Sequence, residues 1–139
     1  PYKDKNYTYW TRTTKKGNYS IKLRKKNNSN KNEVIWNGDK EKKKFKSSYF
    51  GIGTINVSNN DKYLAYSLDL KGSEYYDIRL RNLSKNQESK EVIKETTGSI
   101  LFSYDSKYFF YSKLDTNHRP KEIYLHKIGT SQNKMNLLH

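Results

Sequence analysis

A repeat of 45 residues restricts the possible folds of this sequence more than any other feature does. The run VSNNDKYLAYS over 57–67 aligns with FSYDSKYFFYS over 102–112 without a gap. Apolar residues further along keep the same offset, and they pair as Ile78 with Ile123, Leu80 with Leu125, Leu83 with Ile128, Val92 with Leu137 and Ile93 with Leu138. Because four separate apolar segments share one register, we interpret the chain as consecutive copies of one structural unit.

An earlier copy of the unit is fainter. Ile21 and Leu23 fall 57 residues before Ile78 and Leu80, and Val34 and Ile35 fall 58 residues before Val92 and Ile93. The additional dozen residues match the length of the lysine-rich segment 39–50, so an inserted loop at that point restores the period. We therefore divide the chain into three repeats: 1–50, which is weak and carries the lysine-rich loop, then 51–95 and 96–139.

Each of the two clearer repeats contains four candidate strands. They span 51–57, 62–68, 75–83 and 91–95 in the second repeat, and 98–103, 107–113, 121–128 and 134–138 in the third. Asn, Asp and Gly in the connections favour tight antiparallel turns. The second strand of each repeat is apolar on both faces, which is typical of a sheet that is covered on both sides.

Four-stranded units of this length, each covered by the next, are typical of the blades of a β-propeller. The sequence therefore predicts an all-β protein with about three four-stranded antiparallel blades of an incomplete β-propeller. A single β-sandwich of seven or eight strands is the alternative, and the ungapped repeat favours blades. Because propellers close with about four to eight blades, we expect this chain to be a fragment of a longer protein. Alone, it should be marginally stable, prone to association, or dependent on a partner that completes the ring.

The net charge of +14, from 28 Lys and Arg against 14 Asp and Glu, raises nucleic acid as a partner. Lysine supplies 23 of these cations, whereas bidentate contacts to phosphate and to base edges favour arginine. Lysine is also accompanied by abundant Asn, Tyr and Ile, which is typical of A/T-rich codons. We therefore interpret the densest basic run, Asp39 to Lys46, as a solvated loop, and we do not expect nucleic acid as a partner.

Several functional classes lack their sequence patterns here. The chain has no cysteine, which excludes disulfides, thiolate zinc sites and thiol nucleophiles. No apolar run approaches the roughly 18 residues of a membrane span, so no membrane partner is expected and a cytoplasmic location is favoured. Neither a G-x-S-x-G motif nor a phosphate-binding loop occurs, and Gly51 to Gly53 is an isolated G-x-G.

The titratable residues do not form a recognisable site. His118, His126 and His139 are 8 and 13 residues apart, which does not suit metal ligation. We expect His126 to be an edge or core residue of a strand and His118 to lie in a solvated turn. Glu74 and Asp77 suit pairing with Arg79 or Arg81 better than acid–base chemistry. We predict no catalytic residue, no cofactor and no metal site.

Three runs of the sequence carry a resemblance to a known family, and they are VSNNDKYLAYSLDLKGSEYYDIRLRNL, ETTGSILFSYDSKYFFYSKLD and HRPKEIYLHKIGT. They resemble the N-terminal propeller of oligopeptidase B, a member of the prolyl oligopeptidase group of serine peptidases. YTYWTR, NYSIKLRKK and EVIWNG resemble the preceding blade. The family's usual Ser-Pro-Asp-Gly turn is replaced here by 58–61 and by 103–106, which lack the proline but still permit a turn.

The resemblance implies a filtering role for the chain. In this family a propeller covers an α/β-hydrolase domain and limits access to short peptides, which are cleaved after Lys or Arg through a serine acyl-enzyme. No position here matches the family's catalytic Ser, Asp or His, so this chain alone should be inactive. Its partners would be the remaining blades, the hydrolase domain and, through the parent enzyme, oligopeptide substrates. The alternatives are a stand-alone propeller-like interaction module and a basic nucleic-acid-binding β domain.

Overall fold

A computed structural model describes residues 1–117, 120–130 and 136–138 of the chain, and for 120, 121 and 136–138 it describes the backbone alone. Twelve strands and one helix lie in these residues. They form two compact units, residues 1–47 and residues 48–139. His118 and His139, considered in the sequence, lie outside the described residues.

The first unit is one antiparallel sheet followed by a helix. Its strands are paired in chain order, and they are β1 (Tyr2–Lys3), β2 (Tyr7–Arg12), β3 (Ile21–Lys26) and β4 (Glu33–Asn37). Ile21, Leu23, Ile35 and Trp36 are its buried apolar side chains. Ile21 and Leu23 lie on one face of β3 with the half-buried Lys22 between them, and Arg24 is buried as well.

The lysine-rich segment is a helix, so the loop predicted over 39–46 is wrong. Helix α1 spans Gly38–Phe45. Asn37 caps it by accepting a hydrogen bond from the backbone N–H of Lys40 at 3.3 Å, and Lys46 ends it in the left-handed conformation with φ 49°. Acidic residues lie in the first turn and lysines in the last turn, where each complements the helix dipole. These local signals stabilise the helix although it has no apolar stripe. Sequence periodicity detects a helix by such a stripe, which is why this helix was not predicted.

The second unit contains two more groups of four antiparallel strands. The second sheet consists of β5 (Gly51–Val57), β6 (Tyr63–Asp69), β7 (Tyr76–Asn82) and β8 (Gln87–Thr96), again paired in chain order. The third consists of β9 (Leu101–Phe102), β10 (Tyr108–Leu114), β11 (Pro120–Lys127) and β12 (Asn136–Leu138). A single residue pair, Lys113 with Thr96, joins the two along β10 and β8. The predicted four-stranded antiparallel organisation is therefore confirmed.

The second and third sheets pack face to face. Side chains of both sheets form one apolar cluster, whose buried members are Ala65, Ile78, Leu80, Ile93, Ile100, Phe109 and Tyr111. Strand β6 is buried on both faces from Leu64 to Asp69, as predicted. Strand β10 is buried on one face and half-buried on the other. The other face of the third sheet also carries Leu101 and Ile123, which are 66% and 54% exposed.

Candidate functional site at the seam between two sheets

The seam between the second and third sheets begins with two equivalent turns. In the turn 58–61, the backbone N–H of Tyr63 donates to Ser58 Oγ at 3.0 Å, and in the turn 103–106 that of Tyr108 donates to Ser103 Oγ at 3.1 Å. The third residue of each turn, Asn60 or Asp105, accepts a hydrogen bond from the same serine hydroxyl. Serine, asparagine and aspartate thus supply the turn geometry without a proline.

The two turns also bond directly to each other. Asn59 Nδ2 donates to the carbonyl oxygen of Tyr104 at 3.2 Å, and the backbone N–H of Asn60 donates to Ser106 Oγ at 3.0 Å. These partners are 45 and 46 residues apart, which is the sequence period itself. The repeat in sequence therefore corresponds to equivalent turns that lie side by side in neighbouring sheets.

The segment that enters the third sheet is bound along its length to the second. Ser67 Oγ accepts from the backbone N–H of Thr54 at 2.8 Å and donates to the carbonyl oxygen of Gly98 at 2.7 Å. Asn56 Nδ2 donates to the carbonyl oxygen of Ile100 at 2.6 Å. Gly98 has φ +91°, and a Cβ there would lie 2.9 Å from Tyr76 Cγ. Because this residue leaves the strand conformation, β9 begins at Leu101 and is much shorter than the predicted strand 98–103.

Each sheet places a basic side chain at the same point of its third strand. Arg24 lies 57 residues before Arg81, and His126 lies 45 residues after it. Each of the three pairs with a glutamate: Arg24 with Glu33 at 2.8 Å, Arg81 with Glu88, and His126 with Glu91 at 2.6 Å. The first two pairs join neighbouring strands of one sheet. The third joins β11 of the third sheet to β8 of the second.

The environment of Arg24 shows how such a cation is tolerated in a buried position. Its burial lowers the pKa of the guanidinium, but hydrogen bonds to Glu33 and to Tyr9 Oη outweigh this effect, and the pKa is raised overall. The guanidinium carbon also lies 4.1 Å from the centroid of the Tyr7 ring. Arg24 is therefore a structural cation, charged throughout the physiological range.

The pair of His126 and Glu91 is almost completely buried, with side-chain exposures of 1% and 10%. Glu91 also accepts hydrogen bonds from Ser89 Oγ at 2.8 Å and from the backbone N–H of Gly129 at 3.0 Å. Burial raises the pKa of Glu91, but the bonds from His126, Ser89 and Gly129 outweigh it and hold that pKa below its usual value. The imidazole ring packs 4.9 Å from the ring of Phe109. The prediction that His126 is a core or edge histidine is confirmed.

The sequence of residues 1–139 matches the family described as the prolyl oligopeptidase N-terminal β-propeller domain. The chain belongs to this family. The match extends over residues 1–139, so the whole of this sequence is assigned to the propeller domain. The three sheets are accordingly blades of the propeller, and the bonds described above form an interblade seam.

Named relatives of the propeller chain are peptidases. A dipeptidyl aminopeptidase BI from Pseudoxanthomonas mexicana is 28% identical over 83 residues, which cover 59% of this chain and 12% of the relative. A prolyl endopeptidase from Elizabethkingia meningoseptica is 25% identical over 150 residues, covering 99% of this chain and 20% of the relative. The chain thus spans about a tenth to a fifth of the length of these proteins.

Solved structures show the same fold. Oligopeptidase B from Leishmania major matches with a TM-score of 0.87 and 23% identity, over 96% of this chain and 19% of the solved one. Oligopeptidase B from Trypanosoma brucei, in a closed form with covalently bound antipain, matches with a TM-score of 0.85 and 23% identity, over 100% and 20% of the two chains. At these identities the likeness establishes the propeller fold.

Arg81 and Asp77, which were singled out in the sequence, both have partners in the propeller. Arg81 pairs with Glu88, which lies directly opposite it in the register of β7 and β8, and the pairing of Glu74 and Asp77 with Arg79 or Arg81 stays a prediction. Asp77 Oδ1 accepts from the backbone N–H of Glu95 at 3.4 Å. Across the described residues, no three His, Asp or Glu side chains are grouped as they would be around a metal ion. In the same residues, no helix has the length and apolar character needed to cross a membrane.

Proposed function

We propose that this chain supplies consecutive blades to the propeller of a serine oligopeptidase resembling oligopeptidase B, with blades at 1–50, 51–95 and 96–139. The propeller would cover an α/β-hydrolase domain and admit only short, unfolded peptides. Cleavage after Lys or Arg would proceed on that other domain through an acyl-enzyme. The chain would contribute no catalytic residue and no cofactor site, and its parent enzyme would be cytoplasmic.

The observation that carries this proposal is the dense bonding between successive blades. A filter works only if its wall does not open to folded substrates, so neighbouring blades must stay together. Asn56, Asn59, Ser67 and His126 each bond across the seam, and an apolar cluster lies between the same two blades. The peptidase names of the relatives and the antipain bound to one solved neighbour support the parent activity.

The test compares the isolated 139-residue chain with the product of the complete reading frame that contains this sequence. Fluorogenic peptides ending in Arg, Lys or Pro report hydrolysis, and a serine-directed phosphonate reports the nucleophile. We expect no turnover by the isolated chain, and phosphonate-sensitive cleavage of short Arg and Lys peptides by the complete product. A casein substrate should resist the complete product.

Two outcomes would contradict the proposal. Turnover by the isolated chain that survives the phosphonate would place chemistry within these residues. A complete product that folds but cleaves none of the reporter peptides would show that the propeller does not serve a peptidase.

A further inference from the structure

The charge of the chain is concentrated in its first unit. Residues 1–47 carry 15 Lys and Arg against 4 Asp and Glu, a surplus of +11, whereas residues 48–139 carry 13 against 10, a surplus of +3. A drift toward A/T-rich codons acts on a whole gene, so it does not explain why residues 1–47 carry most of the positive charge. The surplus in the first unit therefore needs a separate explanation.

Seven exposed lysines form one surface around helix α1, which we call the lysine surface. Its members are Lys15, Lys16, Lys40, Lys42, Lys43, Lys44 and Lys46. The loop that carries the first two is fixed to the start of the helix. The backbone N–H of Gly38 donates to the carbonyl oxygen of Ser20 at 3.1 Å, and that of Asn18 donates to Asp39 Oδ1 at 3.2 Å. Further along the helix, Lys42 Nζ lies 5.8 Å from the centroid of the Tyr19 ring.

Each of the four carboxylates of this unit has a hydrogen-bond or ion-pair partner. Glu41 is 4% exposed, and Asp4, Glu33 and Asp39 are half-buried. Asp39 accepts from a loop amide, Glu33 binds Arg24, and Asp4 accepts from the backbone N–H groups of Asn6 and Tyr7. Glu33 is paired with Arg24 and the buried Glu41 with Lys44 Nζ at 3.4 Å, and the remaining fully exposed charges of residues 1–47 are positive. A surface of this kind attracts a polyanion, and salt would weaken that attraction.

We propose that the lysine surface binds the phosphate backbone of nucleic acid without reading its sequence. Lysine acts as a point charge toward phosphate and lacks the planar fork that reads base edges, so a surface of lysines suits the phosphate backbone rather than a particular sequence. A membrane surface would require apolar side chains that insert among the lipids. The large apolar side chains that the described part of this unit exposes are Tyr2 and Val34, which lie on β1 and β4 rather than on the helix. Nucleic acid also carries about one charge per 1.7 Å of duplex, so seven neighbouring lysines can release several counterions at once.

Five of the seven lysines of the lysine surface, Lys40 to Lys46, lie on the insertion relative to the 45-residue period, and the proposal does not rest on the peptidase role. Total composition obscured this surface, because lysines elsewhere in the chain are balanced by ten carboxylates in residues 48–139. The cap at Asn37 and the left-handed end at Lys46 show that residues 38–45 present their lysines from a helix rather than from a solvated loop.

The test is fluorescence anisotropy of the 139-residue chain with labelled oligothymidine, a mixed-sequence DNA duplex and the matching RNA duplex, from 25 to 300 mM salt. The triple variant Lys42→Gln, Lys43→Gln, Lys44→Gln removes three charges from the lysine surface. The control Lys62→Gln, Lys85→Gln, Lys107→Gln removes three exposed lysines from the second unit. Glutamine preserves helix propensity, and circular dichroism confirms that each variant is folded.

We expect the helix variant to bind about tenfold or more weakly than the parent chain, with a log–log salt slope smaller by about 2. The control should bind within about twofold of the parent. Equal losses in both variants, or no binding to any of the three probes at 25 mM salt, would overturn the proposal. Polyglutamate or phosphatidylserine vesicles that compete at equal charge concentration would assign the surface to an acidic protein or to a membrane, and would overturn it as well.

Discussion

His126 Nε2 lies 2.6 Å from Glu91 Oε2, and this contact joins the outer part of one propeller blade to the third strand of the next. In the two preceding blades the equivalent position is an arginine whose glutamate partner lies in its own sheet. The replacement of arginine by histidine therefore coincides with a change of partner. The pair of this position lies within one blade in the first two blades and joins two blades in the third.

Removal of the Glu91 carboxylate should be costly. Glu91→Ala leaves the buried His126 Nε2 without its partner, and a buried polar group left unsatisfied costs about 1–3 kcal/mol of unfolding free energy. The matched control is Glu122→Ala, because Glu122 accepts from Tyr124 Oη at 2.7 Å within its own strand β11 and is not part of the interblade pair. Urea titration followed by tyrosine fluorescence measures both variants. Equal losses in the two variants would show that the interblade pair has no special role.

The Glu91 pair also predicts how stability depends on pH. The pKa of Glu91 is lower in the folded protein than in the unfolded chain, so its contribution is complete above the usual glutamate pKa of about 4.3. The contribution is lost as the pH falls through the lower, folded pKa. We therefore expect the difference in unfolding free energy between the parent chain and Glu91→Gln to be constant from pH 7 to about 5 and to shrink below that range. A difference that grows on acidification would contradict this assignment.

The strands of the blades can be predicted from the sequence, but the contacts that join one blade to the next cannot. Alternating apolar residues and Asn-, Asp- and Gly-rich turns are local signals, so β5 was predicted at its observed bounds and β6 and β10 within one residue of theirs. Glu91 and His126 are 35 residues apart in chain order, and no local pattern connects them. One signal was present, because the 45-residue offset places His126 on Arg81 and marks a position that repeatedly carries a basic group.

The ion pair of Arg81 shows the same limit at shorter range. Asp77 and Arg81 lie on one face of β7, which made their pairing plausible from spacing. Glu88 becomes the partner because the hairpin between β7 and β8 places it directly opposite Arg81. Such a choice depends on the register of two strands, which the sequence of either strand does not define.

Asp69, the last residue of β6, should be a sensitive position because it binds the loop between β6 and β7. Its carboxylate accepts hydrogen bonds from the backbone N–H groups of Lys71, Gly72, Ser73 and Glu74 at 2.8 to 3.3 Å. Burial raises its pKa, but these four bonds outweigh that effect and lower it. Asp69→Ala leaves these four loop amides without this acceptor and should destabilise the chain by about 2–3 kcal/mol, with partial recovery in Asp69→Asn. Thermal unfolding of both variants provides the measurement, and an unchanged midpoint in Asp69→Ala would contradict the expectation.

Two glycines allow backbone strain to be separated from crowding at the interblade seam. Gly98 and Gly129 have φ +91° and +93°, so alanine at either position adopts a strained left-handed backbone. A Cβ at Gly129 meets no heavy atom within 4 Å, whereas one at Gly98 lies 2.9 Å from Tyr76 Cγ and 3.3 Å from Ser67 Oγ. Gly129→Ala should therefore cost about 1–2 kcal/mol from the backbone alone. Gly98→Ala should cost a further 1–3 kcal/mol or so, because the ring of Tyr76 must move.

The same pair of variants tests the seam as part of a filter. In the complete reading-frame product, Gly98→Ala should also increase cleavage of casein relative to a short Arg peptide, since the displaced Tyr76 and Ser67 loosen one blade from the next. Gly129→Ala, which crowds no neighbouring atom, should leave that ratio unchanged. Urea titration and the paired hydrolysis assays measure the two effects. Equal destabilisation by both variants would show that Tyr76 and Ser67 move to accommodate a Cβ at Gly98 without further loss of stability. That result would contradict the prediction.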